Sequence, residues 1–170
     1  MLTSNKILLS YLQDYLIRKL VFRLVSRGYF IMTLVLSDNK NVFIRPYEEG
    51  DFNKIQDLNK EEGWSNLVEN HLNTKEAWKN SNVSYVAETE DQQVVGYIRG
   101  FTDSCIGLFI CELLTDKKYR GLGLGRELIR YVHNIYPKTR VELLANSSSR
   151  TFYEGLGFRA FYGFRKISHE

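Results

Sequence analysis

The chain has 170 residues, a length suited to a single domain with one hydrophobic core. Hydrophobic residues make up 44% of it and charged residues 25%, which excludes a disordered chain. The sequence has no run of 18 uncharged apolar residues, which argues against a membrane-spanning helix. Cys105 and Cys111 are too few for a disulfide framework, so we expect reduced thiols in a cytoplasmic protein.

The small net charge of +3 hides an internal polarity. Residues 1–31 carry a net charge of +4, residues 38–116 carry −8, and residues 117–166 carry +8. A basic C-terminal half is typical of a protein that binds an anionic ligand such as a phosphate-bearing cofactor. Nucleic acid is the alternative partner, but no aromatic-rich basic motif or zinc-ligand spacing supports it.

Residues 5–27 are predicted to form a basic amphipathic helix, because leucine recurs at every fourth position and Gly28 can end the helix. Charged residues interrupt each apolar run, which argues against a secretory signal. We expect this N-terminal extension, residues 1–31, to pack on the domain's own core or on a second subunit in a homodimer, rather than on a membrane. Alternatively, translation begins at Met32.

The rest of the chain, residues 32–170, is predicted to form one mixed α/β domain. Runs rich in β-branched and aromatic residues predict strands, and 3.6-residue periodicity predicts helices. In chain order these are strands at 29–36 and 42–45, helices at 48–60 and 64–79, strands at 83–88, 93–101 and 105–115, a helix at 123–136, a strand at 140–145, a helix at 147–156 and a closing strand at 158–166.

A glycine-rich turn between a strand and a helix is the most informative stretch. Gly121, Gly123 and Gly125 stand at alternate positions, so backbone N–H groups can converge on an anion with no side chain in the way. The helix start that follows adds unpaired N–H groups, and Arg120 and Arg126 add positive charge. The turn predicts a pyrophosphate-binding site. Its spacing matches neither the dinucleotide fingerprint nor the nucleotide-triphosphate loop.

The pattern R-x-x-G-x-G at Arg120, Gly123 and Gly125 resembles motif A of the GNAT superfamily of acetyl-CoA-dependent N-acetyltransferases. Asn146 stands seven residues before Tyr153, and this spacing, followed by a Gly-Phe pair, resembles the family's motif B. Motif B departs from the family pattern at one position, where a serine replaces the common alanine. The resemblance covers residues 42–166.

The resemblance implies a GNAT-like mixed, mostly antiparallel sheet with a splayed central strand pair flanked by helices, plus the extra N-terminal helix. It also implies acetyl-CoA as co-substrate. By position, Leu113 and Thr115 would offer backbone groups to the pantetheine arm, and the Leu113 N–H would polarise the thioester carbonyl. Tyr153 would protonate the leaving thiolate. The implied cofactor-binding set is Leu113, Leu114, Thr115, Arg120, Gly121, Leu122, Gly123, Leu124, Gly125, Arg126 and Asn146.

The residue that takes the proton of the attacking amine is less defined by the sequence. Glu112, on the central strand, is the candidate base, and a water chain is the alternative route for the proton. The Glu112 carboxylate could instead have a structural role, paired with a basic side chain. Cys111 lacks a histidine at a recognisable spacing, which argues against a covalent nucleophile. The three histidines and two cysteines show no metal-ligand spacing, so no metal is expected.

The expected function is therefore transfer of an acetyl group from acetyl-CoA to a primary amine of a small molecule or peptide by direct attack. The alternative is a non-catalytic CoA-binding sensor or interaction module. An acidic surface on the two helices before the turn would favour a cationic acceptor. It is formed by Glu48, Glu49, Asp51, Asp57, Glu61, Glu62, Glu69 and Glu76.

Overall fold

The computed structural model describes residues 21–24 and 30–166. In this part of the chain seven strands form one sheet, and their order in the sheet is their order in the sequence. The strands are Val21–Leu24 (β1), Phe30–Val35 (β2), Asn41–Pro46 (β3), Val83–Thr89 (β4), Val94–Thr102 (β5), Gly107–Thr115 (β6) and Arg140–Leu143 (β7). All neighbouring pairs are antiparallel except β6 and β7, which are parallel. The predicted mixed, mostly antiparallel fold is thus confirmed.

The helices lie on both faces of the sheet. They are Phe52–Glu62 (α1), Ser65–Glu69 (α2), His71–Asn80 (α3), Leu124–Ile135 (α4) and Arg150–Gly155 (α5). On one face, α4 packs Leu128 against strand residues such as Ile98 and Leu108. On the other face, α1 and α3 pack Ile55 and Trp78 against Tyr97. Since helices cover both faces, β5 is buried along most of its length.

The start of α1 is fixed by a buried ion pair. Asp51 is 4% exposed, and its two carboxylate oxygens accept hydrogen bonds from Arg45 at 2.7 and 2.8 Å. It also accepts a hydrogen bond from the backbone N–H of Glu48 at 2.8 Å. These contacts hold Glu49–Asp51 as a 3₁₀ turn, so α1 begins later than the predicted residue 48. The predicted helix at 64–79 is divided into α2 and α3 at Asn70.

The N-terminal prediction is wrong where it can be compared with the structure. Val21–Leu24 is a strand paired with β2, not the end of a helix over residues 5–27. A leucine at every fourth position also satisfies the two-residue period of a strand, so this spacing does not separate the two structures. The sheet therefore begins within residues 1–31, and the rest of the predicted helix lies outside the described residues.

The predicted closing strand over residues 158–166 is also wrong. This segment has no regular secondary structure, and Phe161, Tyr162 and Phe164 are almost fully exposed. A β-rich sequence forms a strand only where another strand offers hydrogen-bonding groups, and within residues 30–166 no strand pairs with this segment. Of the helices among the described residues, none is long and apolar enough to cross a bilayer.

Candidate active site

The candidate site lies where β6 and β7 separate. Their parallel pairing runs from Gly107 opposite Arg140 to Ile110 opposite Leu143 and then stops. On its other side, β6 stays paired with β5 as far as Thr115. Residues 111–115 of β6 therefore have one edge that faces a gap instead of a strand. This is the splayed central strand pair that the family resemblance predicts.

The backbone groups that face the gap follow from the register of β5 and β6. The N–H of Asp116 donates to the carbonyl of Val95 at 2.9 Å, so Asp116 faces β5. In an antiparallel pair, alternate residues direct their N–H and C=O groups to opposite sides. Leu113 and Thr115, which the resemblance assigns to the pantetheine arm, therefore direct theirs into the gap. Leu114 faces β5, and its side chain is buried with the α1 core, so its place in the predicted cofactor-binding set has no support in the geometry.

A β-bulge lies directly before these groups. Arg99 is opposite Glu112 while Gly100 is opposite Ile110, so Cys111 is the extra residue on β6. The bulge bends the strand at the point where β7 departs. Burial raises the pKa of the Cys111 thiol, which keeps it protonated at neutral pH and argues further against a nucleophilic role.

The glycine-rich turn is anchored by its leucines and shaped by its glycines. Leu122 is partly buried and Leu124 is 1% exposed, and both pack into the core next to α4. Gly121, before Leu122, and Gly123, between the two leucines, have φ values of +73° and +93°, which residues with side chains rarely adopt. A Cβ on Gly125 would lie 3.2 Å from the ring of Phe152, so this glycine permits close packing of α4 and α5.

The helix that follows the turn leaves donors for an anion. The first backbone bond of α4 runs from the N–H of Glu127 to the carbonyl of Gly123 at 3.1 Å. The N–H groups of Leu124, Gly125 and Arg126 precede this bond and have no partner within the helix. Together with the positive end of the helix dipole, these N–H groups can bind an anion, at the turn for which the sequence predicts a pyrophosphate-binding site.

The two predicted arginines are placed differently. Arg126 is exposed and makes no ion pair with another described residue, so its charge is available to a ligand. Arg120 forms an ion pair with Glu62 at the end of α1, and its Nε donates to the carbonyl of Thr115 at 3.1 Å. Lys117 adds a second link to α1 through the carbonyl of Glu61 at 2.8 Å. The turn is thus tied to α1.

Asn146 lies on the opposite wall of the gap, beyond the end of β7. Its side-chain oxygen accepts hydrogen bonds from the N–H of Ser149 at 2.9 Å and from the hydroxyls of Ser148 and Ser149 at 2.8 Å. These bonds turn the chain into α5 and leave the side-chain NH₂ without a partner among the described residues. That NH₂ is the group able to contact a ligand in the gap.

Tyr153, on α5, is half-buried between the edges of Phe152 and Phe158, with ring centroids 5.0 and 5.7 Å away. It packs against the same core cluster as Leu113 and Leu122. Burial raises the pKa of its phenol, so the hydroxyl stays protonated at neutral pH. The structure thus brings Tyr153 to the face of the sheet that also carries the glycine-rich turn.

Glu112 lies on the opposite face, where it is ion-paired. Its carboxylate is bound by Nη2 of Arg99 at 2.7 Å and by Nε of the same side chain. Nη1 of Arg99 in turn donates to the Ser81 hydroxyl at 2.8 Å, at the end of α3. The sequence left pairing with a basic side chain open as an alternative to catalysis for Glu112. It did not identify Arg99, although this is the one charged residue in an otherwise uncharged strand sequence.

The same face contains a second polar network that the sequence analysis missed. The buried hydroxyl of Tyr97 donates to Asn59 at 2.5 Å, and the Asn59 amide donates to Gln56 at 3.0 Å. Gln56 donates to the carbonyl of Leu67 on α2 at 3.1 Å, and the hydroxyl of Thr74 on α3 donates to the same carbonyl at 2.8 Å. This network fixes the three N-terminal helices to the sheet beside Glu112. In the described part of the chain, no group of three or more metal-ligating side chains is arranged around a common point.

Comparison with known proteins agrees with this geometry. Residues 80–160 match the family model of the acetyltransferase (GNAT) domain. GCN5-related N-acetyltransferase 2, a chloroplastic protein of Arabidopsis thaliana, is 30% identical over 74 residues, which are 42% of this chain and 29% of that protein. The chain therefore matches less than a third of this relative's length.

Solved structures share the fold at lower identity. A GNAT-family protein of Streptococcus pneumoniae is 24% identical, with a TM-score of 0.63 over 76% of this chain and 99% of that one. An acetyltransferase of Trypanosoma brucei is 22% identical, with a TM-score of 0.53 over 75% of this chain and 99% of that one. The family match over residues 80–160 confirms the resemblance to the GNAT acetyltransferases that the motifs predict, and the solved structures confirm the fold.

Proposed function

We propose that this protein transfers the acetyl group of acetyl-CoA to the nitrogen of a primary amine by direct attack. The observation that carries the proposal is the gap between β6 and β7, with the backbone groups of Leu113 and Thr115 on one wall and the glycine-rich turn at its end. An extended arm can bond along the free strand edge while its phosphates reach the turn. The residues present therefore fit the donor substrate.

The donor would be held by groups already oriented for it. The free N–H groups at the start of α4 and the unpaired charge of Arg126 would bind the phosphates. A side chain at Gly121 or Gly123 would strain the turn, because both have positive φ. The side-chain NH₂ of Asn146, left without a partner among the described residues, would contact the donor from the other wall. The guanidinium of Arg120 is bonded to Glu62 and Thr115, so Arg120 would support the site by tying the turn to α1.

Acetyl-CoA supplies a thioester, which is already activated toward amines. The N–H of Leu113 is the donor that can polarise the thioester carbonyl, since it faces the gap directly after the bulge. As the new N–C bond forms and the C–S bond breaks, the sulfur takes a proton and the nitrogen loses one. Tyr153 is protonated at neutral pH and is our candidate for the proton on sulfur.

The proton from the amine goes to Glu112 or to water. Both carboxylate oxygens of Glu112 are bound to Arg99, but each oxygen has a further lone pair that could accept a proton. We keep Glu112 as the proposed base and treat its ion pair as the feature that orients the carboxylate. Water-mediated transfer is the outcome if Glu112→Gln keeps its rate.

The test combines titration calorimetry with thiol release from acetyl-CoA over a panel of primary amines. We expect binding in the micromolar range and thiol release that depends on both substrates. Acetyl-CoA binding without transfer to any amine would support the non-catalytic CoA-binding module instead. Absence of binding by the folded protein would refute the proposed use of acetyl-CoA.

A further inference from the structure

Two phenylalanines are exposed on the face of the sheet beside the gap. Phe101 on β5 and Phe109 on β6 are register partners, so their side chains project together from one face. They are 43% and 39% exposed, whereas Tyr97 on the same face is 1% exposed. Helix α3 ends at Asn80 and does not extend over them. In the described part of the chain, this apolar pair is left uncovered.

The phenylalanine pair adjoins the proposed reaction centre. The guanidinium of Arg99 packs over the ring of Phe101 at 5.8 Å, and the same guanidinium binds Glu112. With about 3.3 Å per residue and Cys111 taken up by the bulge, Phe109 lies roughly 10 Å along β6 from Leu113. The apolar pair is therefore within reach of a small molecule whose nitrogen is at the acetyl group.

The charged groups that border the pair are neutralised by partners. Arg99 is bound to Glu112 and to the Ser81 hydroxyl. Glu142 on β7 is the register partner of Phe109, and its carboxylate is bound to Arg140 at 2.9 Å. A second ammonium or a carboxylate on the acceptor would lose hydration at this surface and find no unpaired charge of opposite sign, so its binding would cost free energy. Cation–π contact with Phe101 is already made by Arg99.

We propose that the acceptor is a primary amine with an uncharged apolar group, aromatic or branched aliphatic, that packs on Phe101 and Phe109. This inference rests on the proposed function. The nitrogen then lies at the acetyl carbon while the apolar group covers the pair. This differs from the cationic acceptor suggested by the acidic helices. Several of those carboxylates are ion-paired, among them Glu49 with Lys75 and Glu62 with Arg120.

The test compares n-hexylamine with 1,6-diaminohexane, which match in length and differ in the second ammonium. Each methylene buried on the pair is worth about a factor of four in binding. At saturating acetyl-CoA we expect kcat/KM for hexylamine to exceed that for diaminohexane by roughly tenfold or more. Phe109→Ser should lower the hexylamine value by about tenfold and change the diaminohexane value by less than about threefold.

Two further variants separate specificity from folding. Phe109→Leu keeps an apolar side chain, so this variant should retain most of the preference for hexylamine that Phe109→Ser loses. Val35→Ser removes an apolar side chain that is 37% exposed on β2, far from the gap, and should leave both values unchanged.

An equal or greater kcat/KM for diaminohexane would overturn this inference. So would an equal loss for both amines in a folded Phe109→Ser protein. If acetyl-CoA binds but no amine in a wider panel releases thiol, the proposed function itself fails, and the inference fails with it.

Discussion

Gly123→Asp tests the phosphate-binding turn most directly. Gly123 has φ +93° and precedes α4, and a Cβ there would meet no atom within 4 Å. The substitution therefore costs backbone strain of about 1–2 kcal/mol but causes no clash. A carboxylate about 6 Å from a phosphate charge adds roughly 1.4–2.8 kcal/mol at an effective dielectric constant of about 40 to 20. We expect affinity for acetyl-CoA to fall about 10- to 100-fold.

Gly123→Asn is the matched control, because it has the size and strain of aspartate without the charge. Titration calorimetry at about 0.05 M and 0.3 M salt should show the aspartate variant binding more weakly than the asparagine variant. The difference should shrink at the higher salt concentration, since screening weakens exposed charges. Equal affinities for the two variants at low salt would show that no phosphate lies near Gly123.

Three other variants test the remaining features. Tyr153→Phe keeps both ring contacts, so we expect unchanged acetyl-CoA affinity and a kcat about 100-fold lower; a change under threefold with chemistry rate-limiting would contradict the acid role. Glu112→Gln leaves the Arg99 guanidinium without its carboxylate, so urea unfolding should show a loss of about 1–3 kcal/mol, and the double variant with Arg99→Gln should regain part of it. If Glu112 is the base, Glu112→Gln also lowers kcat, whereas an unchanged kcat points to water. Burial opposes ionisation of Asp51, but hydrogen bonds from Arg45 and a backbone N–H outweigh it and lower the pKa below 3.8. Ionised Asp51 therefore stabilises the fold above about pH 4, and this contribution is lost as pH falls through the lowered pKa. Thermal unfolding should show a difference between wild type and Asp51→Asn that shrinks from pH 7 to pH 3; a constant difference would refute the ionic origin.

The glycine-rich turn was predictable because its determinants are local. Gly121 and Gly123 are required by positive φ at their own positions, and the helix start follows within the same few residues. Strand runs separated by short polar turns likewise identified β2 to β6, since alternation and turn residues act over few positions. The family resemblance implies a splayed strand pair, and the direction of the Leu113 and Thr115 backbone groups agrees with it.

The features that the sequence did not reveal depend on distant contacts. The pairing of Arg99 with Glu112 follows from the register of β5 and β6, which a sequence pattern does not specify. The exposure of Phe109 depends on where α3 ends, more than 25 residues earlier in the chain. The segment at 158–166 has strand-like composition, but composition does not supply a neighbouring strand.

The short parallel pairing of β6 with β7 also affects how the native state opens. Strands come apart first where few hydrogen bonds join them, and β7 is held to β6 only along Gly107–Ile110 while β5 and β6 pair along nearly their whole length. Amide hydrogen exchange at Arg140–Leu143 should therefore be faster than in the centre of β5. A ligand that bonds to both walls of the gap would slow this exchange. Ligand binding in the gap and the local stability of the C-terminal third of the chain are therefore thermodynamically linked.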